Sequence, residues 1–492
     1  MNVLIILPIT LPILAAAIST LLKASRTSQR VLSTIAVASS LVASIILLIE
    51  VKQQGPVVSA VGGWAAPFGI ALVADMFSAL ILVVSLVTVL SVLVFSFGSK
   101  RNDEMWQFHP AFLVLTAGVS LAFLTGDLFN LFVSFEVALV ASYVLITLGS
   151  RAEQIRNGIT YVVINMVISI FFLTGIAFVY AAFGTVNFAD LSLKMGSAEE
   201  SLRVALALVF LVIFGAKAAM FPVFSWLPDS YPVARAPIVA VFAGLLTKMG
   251  VYSLIRVEST VFLGGGIGTI VLVLAGFTMV VGVLGAIAQN DVKRILSFHI
   301  VSQIGYMLIG LGFFTAAGLA ASVMFMIHQI PVKTSLFLVS GVIEESAGTT
   351  ALDRIGGLRK QLPLLALMFG LGAASIAGLP PFSGFIGKLS IVEAGFSAQS
   401  YVIIAVSLVV SVLTLFSMAK IWNGTFWGEF ETAEPGDVLV RSGHRTMMGA
   451  TLMLVTVTIA IAVFAGPIYT LCEEAAADLI DPSRYIAAVM GK

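Results

Sequence analysis

Fourteen apolar stretches, separated by short polar breaks, run from one end of the chain to the other, and no other feature limits its fold as strongly. They lie near 3–22, 31–50, 74–97, 110–125, 128–148, 159–183, 203–227, 234–255, 262–288, 292–314, 318–341, 363–396, 401–423 and 446–470. A bilayer core of about 30 Å is crossed by about 20 apolar residues in a helix. Lipid offers no partner to backbone N–H and C=O groups, so spans of this length must close their hydrogen bonds within themselves. The expectation is an all-α polytopic membrane protein of about 14 transmembrane helices, a single transmembrane domain over residues 1–492. Only 10% of the 492 residues are charged and the mean hydropathy is +1.09. A soluble domain carries roughly a quarter charged residues, so lipid must cover much of this surface. The first run has no basic leader and no small-residue cleavage pattern behind it, and reads as a retained helix.

Charge between the spans orients them. Connections after odd-numbered spans hold 15 Lys and Arg residues, whereas those after even-numbered spans, with the tail, hold 6: Lys52, Lys194, Arg203, Arg256, Arg484 and Lys492. Positive loops stay cytoplasmic, which places both termini on the extracytoplasmic side of a cell membrane. The net charge of +1 gives no sign of a nucleic-acid partner. The single Cys472 excludes a disulfide framework. The four histidines (109, 299, 328 and 444) never fall at metal-ligand spacing, and the run Gly264–Gly268 reads as a loop rather than a nucleotide fingerprint. No cofactor, metal site or catalytic constellation is expected.

Two spans combine helix breakers with a lysine. Span 7 carries Gly215, Lys217 and Pro222; span 12 carries Gly378, Pro380, Pro381, Gly384, Gly387 and Lys388 and is too long for one straight helix. They lie five spans apart. A block of five spans crosses the membrane an odd number of times, so the next block of five sits upside down. Spans 4–8 (110–255) and 9–13 (262–423) are therefore expected to form two inverted five-helix repeats with broken helices 7 and 12. Three helices over 1–97 precede them, and a last helix and tail over 446–492 follow. Broken helices at matching places in inverted halves point to a transport path. Proline kinks that merely aid packing are the plainer alternative.

Five lysines fall within spans: Lys217, Lys248, Lys333, Lys388 and Lys420. A charge at the bilayer centre costs about 2.5–3.5 kcal/mol on insertion scales, and such residues face a cavity or a partner. Lys420 lies near a span end, where its stem can snorkel to the headgroups. Glu136 is read as the only acid near mid-membrane and is paired with Lys217 on the broken helix; a packing ion pair is the plainer reading. His328 and Lys333 share span 11 on either side of Pro331, about 140° apart around a regular helix. Either can line the path, and a hydrogen-bonded core histidine is the ordinary reading of His328. His299 is placed nearer the cytoplasmic surface and outside the path. Asp75 is an entrance or a helix cap. In such a row burial disfavours a charged lysine and a nearby carboxylate favours it, so a moving glutamate drives proton release. The expected relay runs from Glu136 and Lys217 through Lys248 and by His328 or Lys333 to Lys388. A bare Na+ needs several oxygen ligands, and the mid-membrane sequence offers few, which favours protons.

Longer motifs carry a resemblance. They are Gly63-Trp64 through Pro67-Phe68-Gly69-Ile70 to Asp75, Gly126-Asp127-Leu128-Phe129-Asn130 to Glu136, and Lys217-Ala218-Ala219-Met220-Phe221-Pro222. Trp226–Pro232, Gln289–Arg294, Ser302–Tyr306 and Gly378–Lys388 complete the set. The chain resembles the antiporter-like subunits shared by respiratory complex I and Mrp-type Na+/H+ antiporters. That resemblance implies 14 core helices, inverted repeats, and a glutamate–lysine pair feeding a central lysine, at Glu136, Lys217, Lys248 and Lys388. At span 11 both His328 and Lys333 align. Length and the lysine at 388 favour the D-type branch of the Mrp subunits. The implied function is an ion-translocating subunit of a multisubunit Na+/H+ antiporter, with sister subunits, protons and Na+ as partners. The alternative is a proton-pumping membrane subunit of an NADH:quinone oxidoreductase, and a third reading is a scaffold with a vestigial channel. The segments 428–445 and 471–492 are expected to make subunit or surface contacts.

Overall fold

The computed structural model describes residues 2–99, 105–149, 151–427 and 444–491. Most of the 428–445 segment lies outside the described residues.

Every apolar run contains a helix. In order these are α1 (Leu7–Leu21), α2 (Arg26–Gln54), α3 (Met76–Gly98), α4 (Phe108–Leu124), α5 (Leu128–Thr147), α6 (Ala152–Phe183) and α7 (Glu200–Ala218). Then follow α8 (Ala236–Thr260), α9 (Gly268–Ala288), α10 (Val292–Phe313), α11 (Ala316–Ala347) and the two pieces α12a (Pro363–Ala377) and α12b (Ser383–Ser397). The last long helices are α13 (Tyr401–Thr425) and α14 (His444–Val463). Among the described residues, 11 helices are long and apolar enough to cross a membrane, and α1, α4 and α12a are shorter apolar helices. The molecule is a multi-pass membrane protein.

Side chains placed just ahead of the helices start several of them. Asp75 Oδ1 accepts from Ser78 N and Ser78 Oγ accepts from Asp75 N, a capping box at the head of α3. Asp127 caps α5 through Asn130 N, and Asp291 caps α10 through Arg294 N. Each supplies a partner to an N–H that the helix itself leaves free. A short hairpin, β1 (Val57–Ala60) against β2 (Ala71–Ala74), joins α2 to α3 with Val57 opposite Ala74.

The two least apolar spans lie at the centre of the bundle. Helices α11 and α10 are almost wholly buried in protein, whereas the more apolar α9 and α13 present Phe277, Val402, Val412 and Phe416 outward. Polar side chains are tolerated where protein rather than lipid surrounds the helix. Helix α11 is the hub and packs on α3, α8, α10, α12a, α12b and α14. Missing side chains permit the close crossings: a Cβ on Gly250 of α8 would stand 2.6 Å from Ala218 N of α7.

Two expectations change here. Arg256 is not a loop cation, because α8 runs to Thr260 and buries it, with both guanidinium arms 2.6 Å from the Asp75 carboxylate. Asp75 is thus both a cap and an ion-pair partner. The last span ends at Val463, short of the expected 470, and the tail, expected to make subunit or surface contacts, folds as α15 (Ala465–Ile480) and α16 (Ser483–Met490) against the bundle. Helix α15 packs on α11 and α3, Cys472 is fully buried, and the Tyr485 ring lies 5.5 Å from the Arg256 guanidinium.

Candidate ion-translocation path

Glu136 of α5 and Lys217 of α7 are joined through a third residue. Lys217 Nζ donates to Ser169 Oγ at 2.9 Å, and Ser169 Oγ donates to Glu136 Oε1 at 2.5 Å. Ser169 comes from the middle of α6, so three helices meet at this bridge. Lys217 also reaches Asn165 O at 3.4 Å and lies 5.7 Å from the Phe135 ring centre. The direct pairing read from the sequence is replaced by a hydroxyl-mediated one. Nothing in the sequence marked Ser169, since serine is common in membrane helices and its role depends on which neighbours α6 meets.

The break in span 7 follows Lys217 directly. Ala219 takes a left-handed conformation (φ 63°) and ends α7. Protein groups satisfy the interrupted backbone: Trp226 Nε1 donates to Ala216 O at 3.2 Å, and Phe221 N donates to Thr278 Oγ1 of α9 at 3.1 Å. Irregular backbone at membrane depth requires such partners.

Lys248 is buried in α8, immediately after a π-helical segment at Phe242–Leu246. Its ammonium donates to Ala243 O in that segment at 2.6 Å. A π turn leaves carbonyls without their usual i+4 donor, which gives a buried amine an acceptor. The Gly250 crossing brings α8 onto the backbone of Lys217 and Ala218, so the two lysines flank one helix contact. The hydroxyls of Thr247 and Ser253 are buried here without a partner among the described residues.

Lys333 and His328 are fully buried on α11, which continues through Pro331. They point to different neighbours. Lys333 Nζ faces Leu296 O of α10 at 3.4 Å, and His328 Nδ1 is hydrogen-bonded with Ser383 Oγ of α12b at 2.9 Å. Lys388 of α12b donates to Ile376 O and Ala377 O at 3.1 and 3.0 Å, the last carbonyls of α12a. Those carbonyls have no intrahelical donor and form the negative end of the α12a dipole, a natural seat for an ammonium. Lys333 lies within electrostatic reach of both Lys248 and Lys388. The structure thus brings Lys248, Lys333, His328 and Lys388 into one buried polar tract, with Glu136, Ser169 and Lys217 across the Gly250 contact.

Residues outside the expected set join this tract. His299, expected nearer the cytoplasmic surface and outside the path, is fully buried in protein and hydrogen-bonded with Ser417 of α13. Helices α11 and α13 cover α10. Gln329 Nε2 donates to Gln303 Oε1 at 3.1 Å beside His328. Glu258, three residues beyond the expected end of span 8, is more deeply buried than Glu136, at 1% exposure against a partly exposed Glu136. Lys420 donates to Ile287 O and Gln289 O at the end of α9, a capping contact at the edge of the bundle. Beside the connections after odd spans, a polar cavity of about 320 Å³ is lined by Arg151, Asp229, Asp291, Lys293 and Glu344, with Lys293 2.6 Å from the Glu344 carboxylate.

The transmembrane family described as NADH:quinone oxidoreductase/Mrp antiporter matches residues 125–414, more than half of the chain. The chain belongs to this family. The D subunit of a Na(+)/H(+) antiporter from Alkalihalophilus pseudofirmus is 43% identical over 495 residues, covering 100% of both chains. A chain in the structure of the Mrp complex from Dietzia sp. DQ12-45-1b superposes with a TM-score of 0.93 at 32% identity, again over 100% of both. A chain of respiratory complex I from Thermus thermophilus gives 0.83 at 22% identity, covering 97% and 99%. This last likeness speaks for the fold alone. Within the NADH:quinone oxidoreductase/Mrp antiporter family, the matched segment runs from Thr125, two residues before the α5 cap, into α13. It takes in all six residues of the expected relay, Glu136, Lys217, Lys248, His328, Lys333 and Lys388, and Ser169 with them.

Proposed function

We propose that this chain is the D-type, ion-translocating subunit of a multisubunit Na+/H+ antiporter, a transporter component rather than an enzyme. Protons pass by way of Glu136, Ser169 and Lys217 to Lys248, then by Lys333 and His328 to Lys388. The observation that carries the reading is the Glu136–Ser169–Lys217 bridge at the head of a buried tract of amines. A serine hydroxyl that accepts from an ammonium and donates to a carboxylate is already arranged to pass a proton between them. Lys248 and Lys388 both rest on carbonyls freed by irregular backbone, where an amine can gain or lose charge without a fixed counter-ion.

The inverted-repeat arrangement of spans 4–8 and 9–13 belongs to the same proposal. It is supported by aspartate caps at matching places, Asp127 before α5 and Asp291 before α10, and by left-handed residues that end α7 and α12a at Ala219 and Gly378. The lysines sit differently about these breaks: Lys217 precedes its break and Lys388 follows its own. The polar cavity around Lys293 and Glu344 is the cytoplasmic mouth in this scheme, and both termini face the outside.

The test uses vesicles containing the complete antiporter assembly, in which Na+-dependent pH change is measured. Lys217→Ala, Glu136→Ala and Lys388→Ala are each expected to abolish it at normal levels of assembled subunit. Full activity in any of the three removes that residue from the path, and full activity in all three favours a structural scaffold. The lone chain is expected to be inactive; robust antiport by it refutes the subunit reading.

A further inference from the structure

Glu258 occupies the last turn of α8 and takes no part in the Glu136-to-Lys388 relay. It is 1% exposed, and both of its carboxylate oxygens are buried without a hydrogen-bond partner among the described residues. Its surroundings are apolar: Phe262 and Ala207 are both fully buried beside it. The carboxylate faces the turn Gly264-Gly265-Gly266, whose residues have φ of +85°, +46° and +74°. A Cβ on Gly265 would stand 3.2 Å from Glu258 Oε2 and 2.9 Å from Ala207 Cβ, so the bare glycine is what leaves room for the acid. The N–H groups of the turn are spent on the carbonyls of Glu258, Phe262 and Gly264, not on the carboxylate.

The charges around this end of α8 sort into paired and unpaired. Arg256 is held by Asp75, Asp190 by Lys194 at 3.0 Å, and Asp478 by Arg484 at 3.1 Å. Glu199 and Glu200 stand exposed at the start of α7. Arg203, one turn before Ala207 on the same face of α7, has a buried Nε without a partner. An ionised carboxylate in an apolar pocket is costly unless it is paired and hydrogen-bonded, so a group so placed is neutral at rest. When it ionises it needs a cation or water, and the side chains that line the glycine turn, Ala207, Phe262 and Val204, supply neither.

We propose that Glu258 is a proton-binding site at the extracytoplasmic end of α8, uncharged at rest and releasing its proton to the outside when the Gly264–Gly266 turn opens to water. The site rests on the antiporter reading and on the orientation with both termini outside. It adds an outward-facing proton step that the Glu136-to-Lys388 relay does not contain. The exposed Glu199 and Glu200 mark its watery side. Among the described residues no group of three or more His, Cys, Asp or Glu gathers to hold a metal ion, and a bare Na+ needs several oxygen ligands, so the proposed ligand is a proton.

The whole complex in vesicles tests this with Glu258→Gln, which mimics the uncharged acid. The variant is expected to assemble normally and to lose the dependence of antiport on outside pH, while the dependence on inside pH stays as in the parent. Difference infrared spectra of the parent complex on an outside-pH jump are expected to contain the carbonyl band of a protonated carboxylic acid, absent in Glu258→Gln. Should Glu258→Gln lower the amount of assembled subunit, Glu258→Met fills the same apolar pocket and carries the same prediction. A parental outside-pH profile in the glutamine or methionine variant, or an unchanged infrared band, overturns the proposal. Lys217→Ala measured in parallel separates the failures: inactivity there with a normal Glu258 variant sinks this site alone, whereas activity there sinks the relay.

Discussion

The most informative single change is Ser169→Ala, because it removes one oxygen atom and both halves of the Glu136–Lys217 bridge together. In the parent, Ser169 Oγ accepts from Lys217 Nζ at 2.9 Å and donates to Glu136 Oε1 at 2.5 Å. A hydrogen bond to a charged group contributes about 1.5–3 kcal/mol. If one such bond is needed when the proton moves, its loss raises the barrier by that amount, and about 1.36 kcal/mol is a factor of ten. Antiport is therefore expected to fall about tenfold to a hundredfold. Folding is expected to survive, because Lys217 keeps Asn165 O and the Phe135 ring as neighbours. The assay is Na+-dependent dissipation of a pH gradient in vesicles containing the complete complex, normalised to assembled subunit. Ser169→Thr restores a hydroxyl on the same carbon and is expected to recover much of the rate. A parental rate in Ser169→Ala refutes the bridge. A threonine variant as slow as the alanine variant assigns Ser169 to packing instead.

Three further outcomes follow from other contacts. Asp75→Ala leaves the Arg256 guanidinium buried and unpaired, which costs about 3–5 kcal/mol; thermal unfolding of the purified complex should report it, and adding Arg256→Met should recover part of the loss. Gly384→Val drives a Cβ into Ser375 O and to 2.9 Å from His328 Nε2, where backbone cannot give way, so the assembled subunit should vanish from membranes at ordinary expression. In a Cys472→Ala background, a membrane-impermeant maleimide applied to intact cells should label Ala198→Cys and leave Thr27→Cys unlabelled, since the orientation puts the two positions on opposite sides. The reverse labelling pattern inverts the topology and with it the direction assigned to Glu258.

What the sequence determined by itself was the solvent and the crossing pattern. Apolar runs of bilayer length have few alternatives in lipid, and each of the fourteen contains a helix in the structure. It also singled out the buried lysines, because an amine in an apolar run stands out wherever the run folds. Position along a helix says nothing, however, about which neighbour a side chain meets. Ser169, Gln303 and Gln329 are unremarkable in the sequence and gain meaning only where α6, α10 and α11 bring them to their partners. Counting residues from a loop gives the depth of His299 along α10 but not that α13 meets it through Ser417. Glu258 and Arg256 fell outside an apolar window that their own charges truncated, although protein rather than lipid surrounds the last turn of α8. Hydropathy measures the cost of exposure to lipid; only tertiary packing decides which residues never face it.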